Sequence, residues 1–366
     1  MPSGDRRPAL LNFASDNVWG ASEPVLRALV DGNAGPLPSY GADPLTRRLA
    51  DAFAALFEHE VAVFPVATGT AANALALSAA LSPFGLCVCH EEAHVIDDEC
   101  GAPEFFAGGA KLLGLPGTGC KLDPERLAAT LDGLPRHEKQ MPAEIVSISQ
   151  ATESGVVYRP EEIAALSAVC RARGLVLHMD GARLANALVT LGCSAAEMTW
   201  RAGIDILSFG GTKNGCLAAE AVICFDPKLA RTLGQRRKRG GHTLSKARLI
   251  AAQFLGYLQD DHWLANARQA NAMAGRLAEG LRHVPGIRLA WPTEANEVFV
   301  ILPDEIDRRL RQAGAVFHPW SGRALAPETT VGPGESLARL VTSFATEADD
   351  VDALLRIAAP SGGIGT

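Results

Sequence analysis

Three segments of the sequence place chemically useful residues within a few positions of the end of a short apolar run. They are Lys213 after DILSF, Asp180 after LVLHM, and Thr68, Gly69 and Thr70 after VAVFPV. A lysine held among apolar neighbours loses water and becomes a better nucleophile. A carboxylate in such surroundings needs a partner. Glycine and threonine between a strand and a helix leave backbone N–H groups available for a phosphate.

Each segment also has a purely structural interpretation. Lys213 could lie in a surface loop, Asp180 could cap a helix and pair with Arg183, and Thr68 could cap the next helix. Together, however, the three segments meet the requirements of pyridoxal 5′-phosphate. The lysine would form a Schiff base with its aldehyde, the carboxylate would keep its pyridine nitrogen protonated, and the helix N-terminus would hold its phosphate.

A histidine follows the apolar run LCVC and offers a fourth candidate group. His94 could stack on the cofactor ring or move protons. The alternative is a zinc site made by Cys87, Cys89, His90 and His94, although its spacing is shorter than in usual zinc knuckles. A non-catalytic metal-binding protein therefore stays open as a second class of function.

The elements that must position these residues follow from the apolar runs. Runs rich in Val, Ile and Leu that do not alternate with polar residues indicate strands covered on both faces. They alternate with helix-like segments, which predicts an α/β fold with a mostly parallel central sheet and helices on both faces. Beyond about residue 226 the strands are fewer, which predicts a smaller α+β C-terminal domain. We place the two domains at 1–250 and 251–366.

Composition restricts the partners of the chain. Its 366 residues carry 34 Lys and Arg against 41 Asp and Glu, a net charge of −7, which does not favour binding to duplex nucleic acid. No apolar run reaches the ~20 residues of a membrane span, and the first residues do not resemble a secretory signal. The eight cysteines are then expected to be reduced thiols of a cytoplasmic protein.

Several motifs carry a likeness to a known family. They are SYGADP (39–44), ATGTAANALAL (67–77), EEAHVIDDECGA (91–102), HMDGARLANAL (178–188), SFGGTKNG (208–215) and RLVTSFAT (339–346). Together they resemble the threonine aldolase branch of the fold-type I pyridoxal phosphate enzymes, above all the low-specificity L-threonine and L-phenylserine aldolases. The resemblance extends from about Asn12 to Leu355. It implies cleavage of a β-hydroxy-α-amino acid to glycine and an aldehyde; a β-eliminating lyase or an aminotransferase is the alternative.

The resemblance also implies a role for each cofactor-binding residue. Lys213 would bind the cofactor covalently, Asp180 would contact the pyridine nitrogen, and Arg183 would contact the phenolic oxygen and the substrate. His94 would stack on the ring near the substrate hydroxyl. The phosphate would be bound by Thr68, Gly69 and Thr70.

Further residues are implied for the substrate. Arg339 would bind the substrate carboxylate, because a planar bidentate donor fits that group. Ser15 would approach the same carboxylate, and Tyr40 would reach the site from a neighbouring subunit of a homotetramer with shared active sites. The basic run 236–239 is interpreted as a solvated helix end, with a contact to the phosphate across subunits as the alternative.

One turn departs from the family pattern. Relatives often carry an Asn-Thr-His-Asn-like turn after the fourth strand, where this chain has Ala151-Thr152-Glu153-Ser154. The resemblance therefore does not identify the base for the β-hydroxyl. We expect His94 to act as this base, directly or through water.

Overall fold

A seven-stranded sheet forms the centre of the larger part of the chain. In the computed structural model, which describes residues 10–359, the strands lie in the order β1-β7-β6-β5-β4-β2-β3. Their bounds are β1 (Ala62–Val66), β2 (Leu86–His90), β3 (Lys111–Leu115), β4 (Ala143–Ser149), β5 (Val176–Gly181), β6 (Ile206–Gly210) and β7 (Glu220–Cys224). All neighbours from β6 to β3 pair in parallel, whereas β7 pairs antiparallel with both β1 and β6. The predicted mostly parallel sheet is thus confirmed.

Helices connect the strands and pack against the sheet. Their bounds are α1 (Glu23–Gly32), α2 (Pro44–Phe57), α3 (Gly69–Ala80), α4 (His94–Asp97), α5 (Ala102–Ala107), α6 (Pro124–Gly133), α7 (Pro160–Arg171), α8 (Leu184–Leu191), α9 (Ala195–Met198), α10 (Pro227–Ala230), α11 (Leu233–Arg239), α12 (Arg248–Leu258), α13 (His262–Arg282), α14 (Asp304–Gln312) and α15 (Ala348–Ala358). Every residue of β2 and β7 is buried, which explains why their sequences do not alternate.

A second, antiparallel sheet lies in the C-terminal part and confirms the predicted smaller α+β region. It contains β8 (Arg288–Leu289), β9 (Glu297–Pro303), β10 (His318–Pro319) and β11 (Glu335–Val341), in the order β10-β11-β9-β8. The apolar run 315–320 yields only the two-residue edge strand β10, because Pro319 has no N–H to donate. Phe13, from the N-terminal segment, is buried in the core of this sheet.

The boundary between the two domains stays a prediction. Helix α12 spans the predicted boundary at residue 250, and α13 contributes side chains to the cores on both sides of it. Residues 1–9, where no secretory signal is predicted, lie outside the described range. Within residues 10–359, no helix combines the length and apolarity needed to cross a membrane.

Candidate functional site

Lys213 lies in a short 3-10 turn, Thr212–Asn214, just beyond the end of β6. The turn is anchored by the Asn214 amide, which donates to the hydroxyl of Tyr257 and to the carbonyl oxygen of Trp263, both at 2.8 Å. Gly211 lets the turn approach the core, because a Cβ there would lie 2.8 Å from the carbonyl oxygen of Ala219. The lysine side chain is half-buried, and these contacts hold the turn that carries it.

Asp180 lines the same cavity as Lys213, from the neighbouring strand β5. Its carboxylate accepts hydrogen bonds from the Asn73 amide at 2.7 Å and from the backbone N–H of Ala182 at 3.0 Å. Burial acts to raise its pKa, but His94, Lys213 and these hydrogen bonds outweigh burial and hold the pKa below its ordinary value. Asp180 is therefore an ionised group beside an amine.

The structural alternative for Asp180 is wrong. Asp180 does not form its ion pair with Arg183; its hydrogen bonds come from Asn73 and Ala182 instead. Acidic groups as well as apolar surface surround Lys213. The cavity wall around the amine includes the carboxyl groups of Asp180 and Glu220.

His94 begins helix α4 and also lines the cavity. Its Nδ1 lies 2.9 Å from Oε1 of the buried Glu99, and the same oxygen accepts a hydrogen bond from the Asn73 amide at 2.8 Å. The hydrogen bond with Glu99 raises the pKa of His94 despite partial burial. This contact orients the imidazole and favours its protonated form.

The N-terminus of α3 forms another wall of the cavity. Thr68 caps this helix, since its hydroxyl oxygen accepts from the backbone N–H of Ala71 at 3.1 Å. Gly69 lines the cavity, and no atom lies within 4 Å of the position that a Cβ would occupy there. The side chains of Thr68 and Thr70 flank this opening without lining the cavity.

These groups fit pyridoxal 5′-phosphate. An amine and an ionised carboxylate share one cavity, and Gly69, the first residue of a 12-residue helix, lines it; the first N–H groups of a helix have no partner within the helix. The buried Asn73 Oδ1 and Glu99 Oε2 also have no hydrogen-bond partner within residues 10–359. A bound polar ligand is one way in which such buried atoms gain the partner that native proteins usually provide.

Two arginines lie beside the cavity, joined by buried carboxylates. Arg183 donates to Asp16 at 2.8 and 3.1 Å and lies 3.3 Å from Glu297, which is also 3.7 Å from Arg339. The Arg339 guanidinium stacks 4.5 Å from the centre of the Trp320 ring, and its Nε is buried without a partner in the described chain. Arg183 lines the cavity and Arg339 does not.

Ser15 and Tyr40 are placed differently from the central residues. Ser15 caps the 3-10 turn that holds Asp16, and its hydroxyl oxygen accepts from the N–H of Asn17 at 3.1 Å. Tyr40 is 56% exposed and does not line the cavity of its own chain. Its ring lies 5.0 Å from the Lys238 ammonium, within the basic run.

The alternative zinc site does not form. Cys87 and Cys89 are buried in an apolar cluster between sheet and helices. Within residues 10–359, the potential metal ligands that do converge are His90 with Glu92 and Cys120, and His94 with Glu99 and Asp180. In the first of these groups, both ring nitrogens of His90 are occupied by hydrogen bonds to the backbone.

Sequence reasoning missed several polar residues of the site. Glu153 and Glu220 line the cavity, and Asp16 and Glu297 hold the arginines. Glu153 was noted only as a departure from a family pattern. The signal that could have found Glu220 is a carboxylate at the start of an apolar run, EAVIC.

The fold and this site define a lyase of the type described by the β-eliminating lyase family, whose model matches residues 12–305. The low-specificity L-threonine aldolase of Pseudomonas aeruginosa is 43% identical over 345 residues, which cover 94% of this chain and 96% of that protein. A second such aldolase, from a Pseudomonas species, is 45% identical over 85% of this chain and 89% of its own length. The structure of a threonine aldolase from Leishmania major superimposes with a TM-score of 0.87 at 29% identity, over 95% of this chain and 99% of that one. The chain belongs to the threonine aldolase family.

Proposed function

We propose that the protein cleaves L-threonine and L-allo-threonine to glycine and an aldehyde, with pyridoxal 5′-phosphate as its cofactor and L-phenylserine as a further substrate. The observation that carries this proposal is the cavity in which Lys213, Asp180, His94 and the N-terminus of α3 meet. The names of the similar aldolases support the choice of reaction.

Each side chain has a defined task in this reaction. When bound, the cofactor withdraws electrons from the substrate Cα. Lys213 would hold the cofactor covalently, Asp180 would keep a positive charge on its ring nitrogen, and α3 with Thr68, Gly69 and Thr70 would bind its phosphate. His94, oriented by Glu99, would lie against the ring face.

The substrate would be oriented by the arginine pair. Arg339 presents an unpartnered Nε, and a guanidinium can bind a carboxylate through two parallel hydrogen bonds. Arg183 donates to Asp16, and Ser15 precedes Asp16 in the chain; both would complete this subsite. Fixing the carboxylate decides which bond at Cα breaks, so this subsite would select Cα–Cβ cleavage.

An absorption spectrum and a product assay test this proposal. The purified protein should be yellow, borohydride should bleach the colour, and Lys213→Ala should lack it. With either threonine diastereomer or phenylserine, glycine and aldehyde should form in equal amounts. Release of ammonia or a keto acid would instead indicate the β-eliminating lyase or the aminotransferase. A colourless protein that binds zinc would indicate the metal-binding alternative.

We also propose a homotetramer in which Tyr40 completes the site of a neighbouring subunit. The exposed position of Tyr40 and the nearby exposed Leu37 and Leu244 support an interface there. If sites are shared, mixing Tyr40→Ala with Lys213→Ala subunits should restore activity in hybrid oligomers. Light scattering should give four chains per particle. The eight unpaired cysteines support a cytoplasmic location, which cell fractionation would test.

A further inference from the structure

Glu153 occupies a place in the cavity that the roles above leave unexplained. It lies in the turn after β4 and lines the cavity together with His94 and Lys213. Its Oε1 accepts hydrogen bonds from the Ser149 hydroxyl at 2.6 Å and from the backbone N–H of His94 at 2.9 Å. Its Oε2 is buried and has no partner anywhere in residues 10–359. One oxygen is thus fixed by two hydrogen bonds, and the other is left without a partner.

The surroundings allow this carboxyl group to exchange a proton. Burial raises its pKa to about 7, against the hydrogen bonds from Ser149 and His94, and the charge of Asp180 raises it further. The other titratable side chains lining the cavity are His94, Asp180, Arg183, Lys213 and Glu220. Outside the cavity lining, the charge of Glu153 raises the pKa of three buried groups, Cys89, Cys120 and Tyr158. A group with a pKa near the working pH is well suited to general base catalysis.

His94 is less suited to accept a proton than the sequence suggested. Its Nδ1 is engaged by Glu99, and this contact raises the pKa of the imidazole. With Nδ1 engaged by Glu99, His94 can accept a further proton only at Nε2 and only in its neutral form. Glu153, with its unpartnered Oε2, offers a second acceptor for a substrate hydroxyl in the same cavity.

We propose that Glu153 is the base that takes the proton from the β-hydroxyl of the substrate, a role that rests on the proposed aldolase function. The O–H bond breaks, its proton passes to Oε2 of Glu153, and the O–H electron pair becomes the second carbon–oxygen bond of the aldehyde. The Cα–Cβ pair stays with Cα, which then takes up one proton to give glycine. Ser149 and the backbone of His94 hold the carboxyl group in place through Oε1.

The substitution Glu153→Gln tests this role, because glutamine keeps the acceptor at Oε1 but cannot take a proton. In the holoenzyme, kcat for threonine cleavage should fall about 100-fold or more. Exchange of the glycine α-hydrogen with solvent should persist, since glycine has no β-hydroxyl. The rise of kcat with pH near 7 should also disappear. Glu161→Gln, the same substitution at an exposed position on α7, should leave kcat and its pH dependence as in the wild type.

Two further measurements complete the test. In carboxyl-labelled protein, E153Q should remove one ¹³C resonance that titrates near pH 7, while that of Glu220 remains. E153D, which keeps a carboxyl group, should cleave threonine faster than E153Q. The role of Glu153 would be overturned if E153D and E153Q cleaved threonine at the same rate. It would also be overturned if E153Q lost threonine cleavage and glycine exchange equally, or if its threonine cleavage were unchanged. A wild type that releases no aldehyde would overturn the proposed function itself.

Discussion

The guanidinium of Arg339 has one nitrogen, Nε, that is buried without a partner in the described chain. The same group stacks on Trp320 and stays 3.7 Å from Glu297. We expect Arg339→Ala to lower kcat/KM for threonine about 100-fold, roughly 3 kcal/mol, because two charge-assisted hydrogen bonds are lost. Cofactor absorbance should stay unchanged, because the groups proposed to bind the cofactor are elsewhere.

Matched variants separate this role from a loss of packing. Arg339→Lys should recover only part of the activity, because an ammonium group cannot form the bidentate contact. Arg308→Ala, on the exposed side of α14, should behave like the wild type. Loss of the cofactor in Arg339→Ala would count against the assignment.

The sequence predicts those site residues that lie at the carboxyl ends of parallel strands, where ligands bind in open α/β sheets. Lys213 and Gly69 follow strands, and Asp180 lies at the end of one. The carboxyl ends of these strands meet at one edge of the sheet, so sequence reasoning could predict all three residues. Glu220 escaped because β7 runs antiparallel, so its first residue pairs with Gly210 at the end of β6 and lies at the same edge. Asp16 escaped because only tertiary folding brings it to Arg183, which is 167 positions away in the chain.

At the scale of a single element, helix α3 connects the fold to the proposed cofactor site. Its small residues are buried from Ala71 to Ser78, and Asn73 projects from its first turns to reach Asp180 and Glu99. The same helix thus provides the N-terminus proposed to bind the cofactor phosphate and, through Asn73, positions the carboxylate proposed to contact the cofactor ring. The apolar run and the threonine cap predicted this helix, whereas the role of Asn73 depends on contacts with distant segments.

Removing the cap of α3 should therefore weaken both stability and cofactor binding. We expect Thr68→Ala to lower the free energy of unfolding by about 1 kcal/mol, since the N–H of Ala71 loses its partner. Thr68→Ser should be close to the wild type. Calorimetry and cofactor titration would measure both effects.

The control for this prediction is a helix cap remote from the cavity. Asp123 caps α6 by accepting from the N–H of Arg126 at 2.7 Å. Asp123→Ala should cost similar stability and leave cofactor affinity unchanged. If both variants weaken cofactor binding equally, the effect of Thr68 comes from global destabilisation alone.

At the scale of the whole molecule, the buried acids of the cavity make folding depend on pH. Burial raises the pKa of Glu220 to about 7, against a hydrogen bond from Thr212 and the charge of Lys213, from an ordinary value of 4.5. Between these two values the folded chain keeps a proton that the unfolded chain has released. The contribution of Glu220 to the free energy of unfolding is therefore fully present below pH 4.5 and is lost as the pH rises through 7.

Glu220→Gln should remove this dependence, because glutamine stays neutral at every pH. We expect the variant to gain stability relative to the wild type on going from pH ~5 to pH ~8, by an amount on the order of a few kcal/mol. Urea unfolding of both proteins at the two pH values, with equal cofactor content, would measure the difference. Glu153 contributes the same trend to both proteins and so cancels from the comparison. If the two proteins lose stability equally between these pH values, Glu220 ionises in the folded chain as it does in the unfolded one, and burial is not controlling its proton.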